Sequence, residues 1–219
     1  MRDVFEEMSL DGVRPTRDMY HSGLFSTMKA RKLGDALFFW EEMQRSGHQP
    51  DVKAFTAIIC AAGRCGQVAQ AVELRAEMAA RGFAPNHNTF LALLNTYAEA
   101  GKLDLTRSTF EEMAAAGCEP DAFAYAALIN CFRHVPKAHV PPDAEARLQV
   151  LLAEGLAALD AGNAADGSSE GEDEDLLFDE FEGGVGGKRQ DAARPGREGR
   201  NLRALIVYNA ALNALVELG

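Results

Sequence analysis

An all-α fold, a superhelical solenoid of stacked antiparallel helix pairs, is predicted by three observations. One phrase recurs four times, the recurrence keeps a fixed period, and the apolar residues between copies are spaced as on a helix. The phrase reads EEMSLDGVRPT at 6–16, EEMQRSGHQPD at 41–51, AEMAARGFAPN at 76–86 and EEMAAAGCEPD at 111–121. Met8, Met43, Met78 and Met113 lie 35 apart, and Gly12, Gly47, Gly82 and Gly117 keep the same interval. So do Pro15, Pro50, Pro85 and Pro120, and the aromatic residues Tyr20, Phe55, Phe90 and Tyr125. Self-similarity at such a period is the mark of a repeat array.

Each element of a unit follows from its residues. Phe55, Ile58, Ile59 and Ala62 fall at i, i+3, i+4 and i+7, and Phe90, Leu93, Leu94 and Tyr97 repeat that stripe, which defines the first helix. Gly66 and Gly101 supply the permissive backbone of a helix stop. A second stripe follows, Ala71, Leu74 and Met78 in one unit and Thr106, Phe110 and Met113 in the next. Gly82 is placed to adopt the left-handed conformation that closes the second helix, and Pro85 prevents the helix from continuing. Two helices of this length cannot bury their apolar stripes alone, so successive pairs must stack.

In this register residues 1–16 are the tail of a unit, and 17–51, 52–86 and 87–121 are three complete units, the array as a whole extending over 1–160. A degenerate unit covers 122–160: it opens with AFAYAALINCF and departs from the pattern at RHVPKAHVPPD. Its second helix is expected from Asp143 to about Asp160, with Pro141 and Pro142 ahead of it. Residues 161–200 form an acidic, Gly- and Ser-rich insert, expected to be a disordered, solvated linker. Within it LLFDEF alternates apolar and acidic residues in a way that suits docking on a partner or on the protein's own basic surface. Residues 201–219 read as the first helix of a further, truncated repeat, with Leu205 to Leu218 expected to dock on the preceding unit. Because the array begins and ends within a repeat, the chain is expected to be a fragment or a truncated reading frame.

Composition bounds the function. The chain has 219 residues, 47% of them hydrophobic. No run approaches the roughly eighteen uncharged apolar residues of a spanning helix, so no membrane partner is expected. MRDVFEEM has neither an apolar signal core nor a transit-peptide composition. Cys60, Cys65, Cys118 and Cys131 have no disulfide or zinc-knuckle spacing and read as free thiols. The net charge is −11 and is unevenly placed. Residues 1–133 hold 14 Lys and Arg against 17 Asp and Glu, a net of −3, whereas 160–182 hold ten acids and no base. The array itself is nearly balanced, so overall acidity does not argue against nucleic acid. There is no Gly-rich phosphate loop, no metal-deaminase signature and no nucleophile constellation, so neither enzymatic activity nor a cofactor or metal is expected.

The period, with KAFTAIICAAGRCGQVAQAVELRAEMAARGFAPN as its cleanest copy, resembles the pentatricopeptide repeat family of the plain 35-residue kind. Tetratricopeptide repeats share the helical hairpin, but their Trp-x2-Leu-Gly pattern is absent. The resemblance covers residues 1–133 closely, and 143–160 and 201–219 less so. It implies a right-handed α-α superhelix that binds single-stranded RNA at about one base per repeat. It also implies a mitochondrial or chloroplast location and a role in RNA processing, stability, splicing or translation. The alternative is a protein-binding scaffold in an organellar ribosome or other ribonucleoprotein. A third reading is an enzyme fused to the array and missing from this chain.

The resemblance also assigns site residues. Base recognition falls to the residue after the aromatic on the first helix and to the last residue of the unit. In 52–86 these are Thr56 and Asn86, a pair the family associates with adenine. In 17–51 they are His21 and Asp51. In 87–121 they are Leu91 and Asp121, and Leu91 has no polar atom to offer, nor has Ala126 in the next unit; Asn209 lacks a partner. Positions that sandwich bases in the family hold Asp18, Lys53, Asn88 and Phe123. Phosphate contacts fall to Lys29 and Arg64, joined by Lys53, while Glu99 stands at the equivalent place in 87–121. Independently of any ligand, Asp51, Asn86 and Asp121 sit where a helix N-cap belongs, and Trp40 belongs to the core.

Overall fold

The computed structural model describes Phe5, Glu7, Met8, Asp11, residues 13–162 and residues 197–218. Its helices keep the period of the sequence. The first helices of successive units are α1 (Arg17–Lys29), α3 (Val52–Arg64), α5 (His87–Glu99) and α7 (Ala122–His134), starting 35 residues apart. The second helices α2 (Leu33–Arg45), α4 (Val68–Ala80) and α6 (Leu103–Ala115) start at the same interval. A 3-10 turn at Lys137–His139 precedes α8 (Ala144–Gly162), and α9 (Arg197–Leu218) follows. The class is the expected one, all-α and built of helix-pair repeats.

The helix ends have local causes. Asp51 and Asp121 hold extended backbone, and each accepts a hydrogen bond from the N–H three residues on, which caps α3 and α7. Gly47, Gly82 and Gly117, each two residues past a second helix, have φ of 83, 80 and 79°. The left-handed turn expected at Gly82 is therefore present in all three units. Gly66 and Gly101 end the first helices with φ of 70 and 63°, and in 17–51 the equivalent residue is Arg31, the one non-glycine with positive φ (53°) among the described residues.

The chain divides into two compact units, Met1–Thr96 and Tyr97–Gly219. In the first, α3 packs on α1, α2 and α4. The stripe Phe55, Ile58, Ile59 and Ala62 is fully buried together with Leu24, Met28, Phe39, Met43 and Met78. Each such large side chain contributes about 1.5–3 kcal/mol of transfer free energy. Trp40 packs edge-on against Phe55 at 4.8 Å, and Phe5 against Phe39 at the same distance. α3 and α5 approach so closely at Gly63 that a Cβ there would lie 1.9 Å from the Thr96 hydroxyl.

In the second unit α7 packs on α6, α8 and α9, and α9 also on α8. Val207, Ala210, Ala211 and Ala214 of α9 join Ala126, Ile129, Phe132 and Leu148 in one buried cluster. The last helix thus docks on the degenerate unit, as expected. α8 breaks the period: Pro136 occupies the slot of Gly66 and Gly101 and cannot take their positive φ, so α7 leaves through an extended Val135. The helix expected over 143–160 runs Ala144–Gly162. Of the insert expected over 161–200, residues 163–196, including LLFDEF, lie outside the described residues. Arg197 to Arg200 are already helical, so α9 begins before the expected boundary.

Candidate functional site

The last residue of each unit is held by the same chemistry. The Ala54 N–H donates to Asp51 Oδ1, the Thr89 N–H to Asn86 Oδ1 and the Ala124 N–H to Asp121 Oδ1, each at 2.9 Å. The preceding proline pre-sets the turn, and the short Asx side chain reaches one of the donors that a helix start leaves unpaired. The capping role read from sequence is therefore present at all three positions. It consumes one acceptor site per side chain, and what each unit does with the remainder differs.

In 17–51 the two expected residues come together. His21 Nε2 stands 3.4 Å from Asp51 Oδ1, and Arg17 pairs with Asp51 Oδ2 at 2.7 Å. Asp51 thus faces a cap donor, a guanidinium and an imidazole. The Arg17 pair is partly solvent-exposed and contributes at most about 1 kcal/mol.

In 52–86 a third residue joins Thr56 and Asn86. The Thr89 hydroxyl donates to Asn86 Oδ1 at 2.8 Å and lies 2.7 Å from the Thr56 hydroxyl. Thr56 Oγ1 also lies 2.8 Å from the Val52 carbonyl. Thr56 is 2% exposed and Thr89 fully buried, whereas Asn86 is half-buried. Of the pair expected to read a base, Asn86 is the member at the surface and Thr56 lies beneath it. Thr89 was not singled out from sequence. The available signal was its place three residues after an Asx cap, where Ala54 and Ala124 stand in the other units and have no hydroxyl to donate.

In 87–121 Leu91 is buried, and Ala126 of the following unit is buried as well. Neither brings a polar atom to the site. Asn95 Nδ2 donates to the Leu91 carbonyl, turning that amide back onto its own helix. Among the sandwich positions Asp18 and Lys53 are exposed, Asn88 is buried and Phe123 half-buried.

The basic residues form a repeating feature. Lys29 closes the last turn of α1 and Arg64 that of α3, while α5 has no base in its last turn. Lys29 is exposed and Arg64 half-buried, and Lys53 is exposed in the first turn of α3. A cation at a helix C-terminus also complements the helix dipole.

The cysteines occupy two environments. Cys60 and Cys131 are buried, and Cys65 and Cys118 are partly exposed. Burial pushes the Cys60 thiol up to about 12, with nearby Arg64 opposing the shift. Burial raises Cys131 too, and its contact with the Thr106 hydroxyl works against this. Among the described residues no three His, Cys, Asp or Glu side chains are grouped to hold a metal, and no helix is long and apolar enough to cross a membrane.

Comparison with known proteins bears on what this arrangement serves. The family model for the pentatricopeptide repeat domain matches residues 73–133, and that for the single repeat matches residues 53–83. A mitochondrial pentatricopeptide repeat-containing protein of Arabidopsis thaliana is 55% identical over 42 residues, which are 19% of this chain and 10% of that protein. Among solved structures, the maize pentatricopeptide repeat protein PPR10 matches 99% of this chain with a TM-score of 0.54 and 22% identity. This chain spans 28% of it. PPR10 in complex with an 18-nt psaJ RNA element matches with the same score and identity, over 99% of this chain and 38% of that one. At this identity the likeness is one of fold.

Proposed function

Since the chain is a pentatricopeptide repeat protein, we propose that it binds single-stranded RNA in a sequence-dependent manner, with unit 52–86 as its most selective reader. The carrying observation is the half-buried Asn86, whose amide is fixed by two bonds from Thr89. A fixed, partly exposed amide at the end of a repeat is suited to the edge of an unstacked base. In 17–51 the facing His21 and Asp51 form a second candidate reader, with Asp51 also held by Arg17. Asp121 caps α7 and reads without help from the apolar Leu91. Lys29, Arg64 and Lys53 supply phosphate contacts.

The place of action is an organelle. The Arabidopsis relative bears a mitochondrial name, which favours the mitochondrion over the chloroplast, and the role is in processing, stability or translation of its transcripts. The chain performs no chemistry of its own in this reading.

The alternative, a protein-binding scaffold, draws support from α9. Its face opposite the docked side exposes Leu205, Tyr208, Leu212 and Val216, the last at 78%.

Fluorescence anisotropy with short single-stranded RNAs separates the two. RNA binding should weaken with salt, and Lys29→Ala or Arg64→Ala should each lower the logarithmic salt slope by about 0.7. Absence of RNA binding at low salt, with a protein partner retained on the immobilised chain, would replace this reading with the scaffold.

A further inference from the structure

We propose that Thr89, a residue of the following repeat, is a positioning residue that sets which bases unit 52–86 accepts, by making Asn86 a pure hydrogen-bond donor. The proposal rests on the RNA-binding reading above and deepens it. It begins from a count of protons. Val52 O, Thr56 Oγ1, Thr89 Oγ1 and Asn86 Oδ1 form a run of three oxygen–oxygen contacts of 2.8, 2.7 and 2.8 Å. Two hydroxyl hydrogens are available for them.

The Val52 carbonyl already accepts the helical N–H of the residue four places on, so it does not require the Thr56 hydrogen. When Thr56 donates to Thr89 rather than to Val52, Thr89 is left to donate to Asn86 Oδ1, the one direction open to a contact with an amide oxygen. Successive donors also polarise one another in a buried run. Asn86 Oδ1 then accepts twice, from the Thr89 N–H and the Thr89 O–H, and both its lone pairs are taken. The Thr89 N–H also fixes which way the amide is turned, because a flipped amide would set NH2 against N–H. What Asn86 has left for a ligand is its two N–H hydrogens.

A donor-only edge discriminates in a definite way. At the Watson–Crick edge, adenine N1 and cytosine N3 are unprotonated ring nitrogens that accept, whereas guanine N1 and uracil N3 carry hydrogen and donate. Unit 52–86 therefore selects adenine and cytosine against guanine and uracil at that ring nitrogen. Removing the Thr89 hydroxyl reopens one lone pair on Asn86 Oδ1, through which guanine or uracil N–H can be accepted. Thr56, buried beneath, acts through Thr89 by directing its hydrogen towards Asn86. In 17–51 and 87–121 the residue three places after the cap is Ala54 or Ala124, so Asp51 and Asp121 are not constrained in this way.

The experiment is selection from a random-sequence single-stranded RNA pool by the full chain, its Thr89→Val variant and its Thr89→Ser variant, with the bound fractions sequenced. Valine keeps the shape and removes the hydroxyl, and serine restores it. Thermal unfolding of each variant confirms that the fold is kept. The wild type should show one position at which adenine and cytosine are enriched over guanine and uracil by about five- to tenfold, as one neutral hydrogen bond allows. T89V should bring that ratio below about twofold while still retaining RNA, and T89S should hold it. A T89V ratio equal to that of the wild type overturns the role of Thr89 alone. A wild type that retains no RNA overturns the RNA reading and this inference with it.

Discussion

The Thr56 and Thr89 hydroxyls lie 2.7 Å apart, joining the first helices of two successive repeats through a buried side-chain contact. Because Thr89 also binds Asn86, the end of one repeat is chemically defined by the start of the next. The side-chain contacts at the end of a 35-residue unit are therefore completed by the next one.

Capping and the proposed reading role can be separated at Asn86. Asn86→Ala removes the acceptor for the Thr89 N–H and should cost about 1 kcal/mol in urea unfolding. Asn86→Asp keeps the cap, as Asp51 and Asp121 do, and should stay within about 0.5 kcal/mol of wild type. Its carboxylate has no hydrogen to donate, so its base preference should move towards guanine and uracil.

Two glycines at equivalent positions should respond unequally. Both Gly66 and Gly101 have positive φ, which costs an L-residue about 1–2 kcal/mol. A Cβ at Gly66 meets nothing within 4 Å, whereas one at Gly101 would lie 2.2 Å from the His134 carbonyl oxygen. Gly66→Ala should lose about 1 kcal/mol. Gly101→Ala adds displacement of main chain and should lose about 3 kcal/mol or more, read from the same unfolding curves.

Arg31 bears the reverse test. It holds the left-handed conformation that glycine holds in the next two units, at φ 53°, and its carbonyl accepts from Cys65 Sγ at 3.3 Å. Arg31→Gly keeps that carbonyl and removes the strain, set against the greater freedom of glycine in the unfolded chain. A net gain of about 0.5–1 kcal/mol is expected, visible as a higher Tm.

The thiols should sort by environment. At pH 8 iodoacetamide should modify Cys65 and Cys118 well before Cys60 and Cys131, as mass spectrometry of digests would show. Cys60 also carries a pH dependence of known sign. Its pKa is raised from 9.0 to about 12, so the buried thiol favours folding fully below pH 9, and that contribution is lost as pH rises towards 12. Cys60→Ala should flatten the alkaline fall in stability relative to wild type.

The regular part of the fold was legible because the starts of the first helices, and most helix stops, fall on residues with a mechanical role. Thr16, Asp51, Asn86 and Asp121 start the first helices, a glycine that tolerates positive φ ends two of them, and proline bars continuation after the second helices. Where Pro136 replaces that glycine, the next helix start was readable only from Pro141 and Pro142, and α8 begins one residue later than expected. The sequence of α9 is apolar on several sides, so periodicity did not say which side docks. The structure buries Ala210, Ala211 and Ala214 with Val207, since small residues allow the close approach, and leaves Tyr208 and Leu212 outside. The site was half legible. Caps and basic residues follow from position, but the Thr56–Thr89 contact joins residues 33 apart and exists only because α3 and α5 pack as they do.

The most direct test of the central claim is a binding titration of two single-stranded RNAs that differ only by adenine or guanine at the position contacted by unit 52–86, against wild type and Asn86→Ala. The account predicts adenine preferred by about five- to tenfold in the wild type, with the preference lost in the variant and residual salt-sensitive binding kept. Equal affinities of the wild type for the two RNAs, or an adenine preference undiminished by Asn86→Ala, would contradict it.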